Sequence, residues 1–330
     1  MDPVTVLVVT FVVFLLIGVP VAVSIGLAAV LSMLVANFPA SYLVQTAYSA
    51  VDEFTIIAVP MFILAGVLME KGGLTERLIN FARGIVGSAP GGLATVTIVA
   101  CTFFAAISGS GPATTAAIGS IMIPAMLRDG YGRDFSAAIS SSAGGIGVVI
   151  PPSIPMIIYG ITAETSISGL FLAGVIPGLM LGIALWMVSV VISKRNGWVS
   201  HSNMSRSARG IGAAAWDAKW ALFAPVIILG GIYGGVFTVT EASVVAVLYA
   251  LLTGVMIFRK ITFNVLFDAL IYTVRITGTV LLVLVTGRIV GRLLTIYQIP
   301  QMVSDFLLTS VSSPTMLIVL ILLLLIFIGM

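Results

Sequence analysis

Ile107-Ser108-Gly109-Ser110-Gly111-Pro112-Ala113-Thr114-Thr115 and Ser140-Ser141-Ser142-Ala143-Gly144-Gly145-Ile146-Gly147-Val148-Val149-Ile150-Pro151-Pro152-Ser153 interrupt two apolar runs at matching depth. Glycine and proline release backbone N–H and C=O groups from a helix. Inside a bilayer such groups persist only where protein or a water-filled cavity satisfies them. Paired interruptions of this kind point to the binding site of a transporter. Small residues alone would serve helix packing, but packing does not call for proline pairs at depth.

The rest of the chain agrees with a membrane setting. Of its 330 residues 60% are hydrophobic and 8% charged, with a mean hydropathy of +1.22, whereas soluble chains carry about 25% charged residues. The fold class is therefore an all-α polytopic membrane protein. A net charge of +3 with scattered basic residues gives no nucleic-acid surface. The single cysteine, Cys101, lies in an apolar run and the single histidine, His201, in a polar loop, so neither a disulfide within the chain nor a His/Cys metal centre is available. No nucleophile stands beside a base, which excludes a recognisable enzyme site. Val4 to Ile17 lacks the basic flank and small-residue cleavage site of a signal peptide and reads as the first span.

Taken in order, Val4–Ile17 and Val21–Val35 form a pair of short spans joined at Gly18-Val19-Pro20. Ser41–Glu53 lies at an interface, and Phe54–Met69 crosses again. Leu74–Val86 is an amphipathic helix whose Leu74, Leu78, Ile79 and Phe81 oppose Glu76, Arg77, Asn80 and Arg83; it reads either as a surface connector or as an arm that braces a moving domain, and its apolar face is expected to lie in the membrane interface. A re-entrant hairpin with its tip at Ser108 to Gly111 follows. Then come a broken span (Asp134–Gly147 with Ser153–Ile161), a whole one (Leu170–Ile192) and a long polar loop (Lys194–Trp216).

The order then restarts. Trp220–Val236 and Ala242–Phe258 repeat the opening pair, Phe263–Arg275 and Ile276–Thr295 repeat the interfacial helix and third span, and Ile299–Phe306 repeats the arm. Thr315, Ile318 and Val319 begin a second hairpin whose tip falls at Ile328-Gly329. If the halves are equal, roughly 90 further residues are expected after Met330.

This order divides the chain into five parts. Residues 1–89 are the spans and arm of the first scaffold, 90–169 the first half of a transport domain, and 170–218 a connecting span and loop. Residues 219–313 are the second scaffold and arm, and 314–330 the start of a second hairpin.

Basic residues fix orientation, because loops rich in Lys and Arg stay in the cytoplasm. Lys194, Arg195, Arg206, Arg209 and Lys219 place the long loop inside. Lys71, Arg77, Arg83, Arg128, Arg133, Arg259 and Lys260 then fall on the same side, and segments 37–51, 164–169, 238–241 and 297–313 contain no Lys or Arg. The N-terminus is external, and the two halves have opposite topology.

The two breaks offer different groups to a solute. Unwound carbonyls of Ser108, Gly147, Val149 and Ile150, with the Ser108 and Ser110 hydroxyls, can replace the water around a small hard cation. The half-helix beginning at Pro112 aims N–H groups at an anion, with Thr114 and Thr115 nearby. Between Lys71 and Asp129 the only carboxylate is Glu76, on the arm, which favours Na⁺ on neutral oxygens over a proton relay. Thr114, Thr115, Pro152, Ser153 and Arg288 are the candidate solute contacts; Arg288 could equally meet a carboxylate of a partner subunit, or Asp305. Arg292, one turn on, is read as snorkelling to headgroups. Glu241 is read as a helix cap, and isolated glycines such as Gly26, Gly66 and Gly182 as packing.

Several stretches carry a family resemblance: Pro60-Met61-Phe62-Ile63-Leu64-Ala65-Gly66-Val67-Leu68-Met69, Gly72-Gly73, Phe103-Phe104-Ala105-Ala106-Ile107-Ser108-Gly109-Ser110, Ile150-Pro151-Pro152-Ser153, Tyr159-Gly160, and Gly231-Ile232-Tyr233-Gly234-Gly235-Val236-Phe237-Thr238-Val239-Thr240-Glu241-Ala242. In them the chain resembles the large membrane (M, DctM-like) subunit of tripartite ATP-independent periplasmic (TRAP) transporters, C-terminally truncated. The resemblance implies an inverted-repeat, elevator-type, Na⁺-coupled importer of organic anions such as C4-dicarboxylates or sialic acid. It also implies an inner-membrane location, a periplasmic solute-binding protein and a small DctQ-like membrane subunit.

The family's first Na⁺ site maps onto Ser108 and Gly111 at the hairpin tip and onto Gly147, Ile150 and Pro151 at the broken helix, with Ser110 beside it. A second would begin at Gly329. Val239 departs from the family's proline, and Arg288 and Arg292 lie outside its common pattern. The competing readings are a dicarboxylate/Na⁺ symporter needing no binding protein and, from another class, a channel or membrane scaffold.

Orientation is testable directly. A cysteine placed at Ser202 is expected to be shielded from a membrane-impermeant thiol reagent in intact cells while one at Ser41 reacts; labelling at Ser202 alone would reverse the topology.

Overall fold

The computed structural model describes residues 2–86, 91–198, 208–310 and 313–329, and all regular structure in them is helical. The loop stretch 199–207, with His201, Ser202 and Arg206, lies outside the described residues. Four of the described helices are long and apolar enough to cross a membrane, or six if each of two bent pairs counts as one span.

The chain divides into two compact units, Met1–Asp52 with Thr279–Met330, and Glu53–Gly278. In the first unit α1 (Pro3–Leu16) and α2 (Val21–Val35) form a helical hairpin, tied where Ser32 Oγ donates to Pro3 O at 2.7 Å. With α3 (Ala40–Val51) they meet the later part of a 34-residue helix, Phe263–Ile296. The core there is Leu7, Ala28, Ala29 and Met33 against Ile289 and Leu293.

In the second unit a 3-10 turn (Phe54–Ile57) leads into α4 (Ala58–Lys71), which packs along a helix from the second half of the chain, Val239–Leu251. The third span of each half thus packs on the second span of the other.

Two expectations change. Phe263–Arg275 and Ile276–Thr295 are one continuous helix, because nothing there plays the part of Asp52-Glu53, the acidic pair at the turn that separates α3 from α4. The arm, α5 (Leu74–Val86), has the expected bounds, but its apolar face is not open to an interface. Leu74, Leu78, Ile79 and Ala82 are buried inside the protein. They pack against α6 (Gly92–Ser108) and against a helix within the long loop, α12 (Ala208–Asp217), that the sequence did not suggest.

Polar contacts hold the start of the arm. Lys260 Nζ donates to Glu76 Oε2 at 2.8 Å, Arg77 lies 3.4 Å from Asp217, and the Arg77 guanidinium stacks 3.9 Å over the Phe258 ring. The bond from Lys260 holds the Glu76 carboxyl below its ordinary range. The stabilisation is therefore present above the unfolded carboxyl's pKa and is lost as pH falls through the folded one. Both partners are well exposed, so it amounts to no more than about 1 kcal/mol.

The hairpin consists of α6 and α7 (Gly111–Arg128), whose tip is the two residues Gly109-Ser110. Its open end is fixed by Tyr131, whose hydroxyl donates to Gly91 O at 2.9 Å and whose ring packs on Phe135 and Trp198. The broken span is α8 (Arg133–Gly144), one turn α9 (Ile146–Val149) and α10 (Ile154–Thr162), bent by 41° at the break. A 29-residue span, α11 (Ile167–Arg195), follows; α13 (Lys219–Tyr233) and α14 (Val239–Leu251) lead through a π turn (Leu252–Ile257) to α15 (Phe263–Ile296), α16 (Ile299–Ser310) and α17 (Pro314–Gly329). Thr238 and Glu241 cap α14 reciprocally, as read from the sequence.

Burial of the arm gives a sharp test. Leu78→Asp should cost about 3 kcal/mol or more by burying an unpaired polar group and sharply lower the amount of folded protein. Asn80→Asp, on the exposed face, should leave it unchanged. Comparison of membrane-extracted protein by size-exclusion chromatography distinguishes the two, and equal loss would mean that this face is not the packed one.

Candidate functional site

Four prolines decide which carbonyls at the breaks lose their helical partner. A proline at i+4 has no N–H to offer, so Pro112, Pro151, Pro152 and Pro155 strip the carbonyls of Ser108, Gly147, Val148 and Pro151 respectively. Val148 O finds a substitute in the Ser153 hydroxyl, which donates to it at 2.6 Å. Ile150 loses its partner differently. The Ile154 N–H that would close its helical turn donates instead to Gly109 O at 3.0 Å. That bond crosses from the broken helix to the hairpin tip and joins the two interruptions.

Packing brings them closer still. A Cβ on Gly147 would stand 2.7 Å from Thr114 Oγ1 and 2.9 Å from Ser110 O, and one on Gly111 would stand 2.9 Å from Val148 Cγ2. Gly109 holds φ +61° as the left-handed cap of α6, with Pro152 O directly against it. At Gly144 a Cβ would run into the Thr115 hydroxyl.

The hydroxyls are engaged inside this contact. Ser108 Oγ and Thr114 Oγ1 lie 2.8 Å apart, and Thr114 Oγ1 donates to Ser110 O at 2.8 Å. Ser110 Oγ caps α7 by accepting from Ala113 N–H, and Ser153 Oγ caps α10 by accepting from Met156 N–H. Both half-helices therefore open on the same pattern, Ser-x-Pro, at Ser110-Gly111-Pro112 and Ser153-Ile154-Pro155. No Asp, Glu, Lys or Arg occurs in either break, so polarity there comes from neutral oxygens and the N-terminal ends of α7 and α10.

Ser108, Ser110, Gly111 and Gly147 thus come together, with Thr114, Thr115 and Pro152 in the same contact, whereas Ile150 packs on Gly178 of α11 and Pro151 only follows it in the break. Ser108, Thr114, Pro152 and Ser153 are buried, while Pro112, Ser141 and Ser142 beside them are exposed. Val149 departs from expectation. It ends the helical turn of α9, and its carbonyl faces Gly174 of α11, away from the tip. Arg288, on α15, and Gly329, at the end of α17, belong to the other unit. Arg292 Nε donates to Tyr42 Oη at 3.1 Å within that unit.

Sequence reading passed over the walls. Gly66, grouped with packing glycines, lies on α4 directly behind Ser108. On α11, Gly174, Gly178 and Gly182 recur at i, i+4, i+8 and back Val149, Ile150 and Ile146 in turn; that spacing was the available signal. Gly26 does pack, with Thr286 Cγ2 at 3.0 Å from its Cβ position.

An all-helical, multi-span chain in which a hairpin tip locks onto a broken helix is a membrane permease of the broken-helix type. Residues 8–330 match the family described as tripartite ATP-independent periplasmic transporter, DctM component, and the chain belongs to that family of transporter permease subunits, which are not enzymes.

It is 44% identical over 329 residues to the isethionate TRAP transporter permease protein DctMQ of Oleidesulfovibrio alaskensis, covering 99% of this chain and 52% of the relative. It is 38% identical over 313 residues to the sialic acid TRAP transporter large permease protein SiaM of Vibrio cholerae, covering 94% and 73%. With the C4-dicarboxylate TRAP transporter large permease protein DctM of Pseudomonas aeruginosa identity is 40% over 265 residues, covering 80% and 62%. The chain spans about half to three quarters of these relatives' lengths.

The crossing bond can be weighed against backbone cost. Gly109→Ala should lose about 1–2 kcal/mol for a left-handed alanine and about 1 kcal/mol more for the displaced Ile154 N–H bond. Gly130→Ala, at φ +82° in open space, should lose the first amount alone. Thermal melts of the two purified variants measure the difference, and equal melting temperatures would show that the contact contributes nothing.

Proposed function

We propose that the chain is the large permease subunit of a Na⁺-coupled importer of an organic anion, working by an elevator-type movement of an inverted-repeat fold. The observation that carries this reading is the locked pair of breaks: carbonyls stripped by proline, two hydroxyls and no carboxylate, gathered where a hairpin tip meets a broken helix. Such oxygens suit a small hard monovalent cation, and Ser108, Ser110, Gly111, Gly147, Ile150 and Pro151 would hold it. In this reading a second cation site includes Gly329, in the other unit.

The solute would approach the N-terminal ends of α7 and α10, through Thr115 and the exposed Pro112, Ser141 and Ser142. The polar atoms of Thr114 and Ser153 are already engaged inside the contact. Arg288 is the remaining candidate for an anion.

The relatives' names specify different organic anions: isethionate, sialic acid and C4-dicarboxylate. A periplasmic solute-binding protein would deliver the solute, and a small membrane subunit would complete the complex. The N-terminus would face the periplasm, with the transport half in residues 90–169.

Uptake by the full-length protein, reconstituted with its partners and measured against Na⁺ concentration, tests the cation site. Ser108→Ala should raise the Na⁺ half-saturation roughly tenfold by removing one hydroxyl from a charged centre. Gly147→Leu should do more, by forcing the break off the tip. Gly230→Ala, whose Cβ would meet open space, serves as control. Unchanged Na⁺ dependence in both site variants, at normal protein level, would place the cation elsewhere.

A further inference from the structure

The sequence motif around Gly66, Pro60 to Met69, has no role in the site as described so far, yet its helix forms the wall behind the hairpin tip. A Cβ built on Gly66 would stand 3.2 Å from Ser108 Cα, 3.4 Å from Ser108 Cβ and 3.6 Å from Ser108 O. Of these the first is tighter than ordinary contact, and it involves backbone, which cannot swing aside as a side-chain end can.

Retreat of α4 is blocked on its other side. It packs along α14, and at its end a Cβ on Gly72 would stand 3.4 Å from Gly254 Cα. Its neighbours in the chain are fixed as well, because Lys260 packs over Gly73 and bonds Glu76 at the start of the arm. Pressure between α4 and the tip is therefore relieved at Ser108, whose hydroxyl lies in the contact 2.8 Å from Thr114 Oγ1 and whose carbonyl lies on the Gly66 side.

We infer that Gly66 is a positioning residue for the cation site: its missing side chain sets how far the Ser108 oxygens stand from Gly147 and Ile150, and so the size of the cation that fits. This inference rests on the cation reading above. Gly66 donates nothing to the cation. It acts through Ser108, as outer groups around metal sites do when they hold a ligand in place. Displacing Ser108 by a few tenths of an ångström would change the match between the site and cations of different radius, because a site built from backbone oxygens is set by backbone placement.

The test uses the full-length protein reconstituted with its partners, with solute uptake measured against Na⁺ and, separately, against Li⁺. Gly66→Ala should weaken Na⁺ half-saturation by about tenfold and change the ratio of Na⁺ to Li⁺ half-saturation, with the solute KM at saturating Na⁺ unchanged. A purely structural loss would lower the amount of active protein and leave that ratio as in Gly230→Ala.

If Gly66→Ala accumulates too little to measure, the same substitution is compared in a Ser108→Gly background, where the 3.4 Å contact is gone; the cation ratio should still differ from Ser108→Gly alone. A ratio equal to that of the respective parent overturns the inference. Should Ser108→Ala shift Na⁺ dependence while Gly66→Ala does not, the cation site stands and the role of Gly66 falls. Should neither shift it, the cation reading falls too.

Discussion

A proline cannot donate a backbone hydrogen bond, and in a bilayer the carbonyl it strips has no water to turn to. Four such carbonyls, at Ser108, Gly147, Val148 and Pro151, are carried by the two breaks. The surrounding architecture answers that constraint. Ser153 folds back on Val148, Ile154 reaches across to Gly109, and glycines at 109, 111, 144 and 147 let two backbones approach until hydroxyls and carbonyls share one small volume. Removing the glycines would keep the stripped carbonyls and deny them each other.

Much of this was legible before any coordinates. Apolar runs, their interruptions and the order of elements gave the helical class, the hairpin bounds, the position of the break that the structure bends by 41°, and the capping role of Glu241. The bounds of the arm were legible because its hydrophobic face repeats at helical spacing. What covers that face was not: periodicity reports that one side is apolar, and lipid and protein satisfy it equally. A helix inside the polar loop supplies part of the cover. Its sequence, Ala208–Asp217, is mostly small residues inside a polar stretch.

The remaining misses share a cause. Gly66, Gly174 and Gly178 have no chemistry of their own, and a glycine read one at a time is as consistent with packing anywhere as with packing against a site. Only three-dimensional neighbours, Ser108 for one and Val149 and Ile150 for the others, separate the cases. Similarly, the long helix Phe263–Ile296 was read as two elements by analogy with the first half. The analogy failed at the turn before the third span, where the first half has Asp52-Glu53 and the second half continues as one helix.

A contact made by two segments, each incomplete alone, has a consequence for coupling. Neutral carbonyls bind a monovalent cation only when several converge, so affinity for the proposed cation would exist in the docked arrangement and would vanish if tip and break separated. By linkage, anything that binds one arrangement and not the other stabilises it in proportion to its differential affinity. A carboxylate would have weakened that dependence, because one fixed charge attracts a cation whether or not its neighbours are in place. The absence of acidic residues from both breaks would thus tie the proposed cation binding to the packing of the hairpin on the broken helix. The N-terminal ends of α7 and α10, capped by Ser110 and Ser153 within the same contact, are held in place by that packing. A cation that closes the contact would therefore also set the anion-facing groups, and an anion bound to them would favour the cation in return.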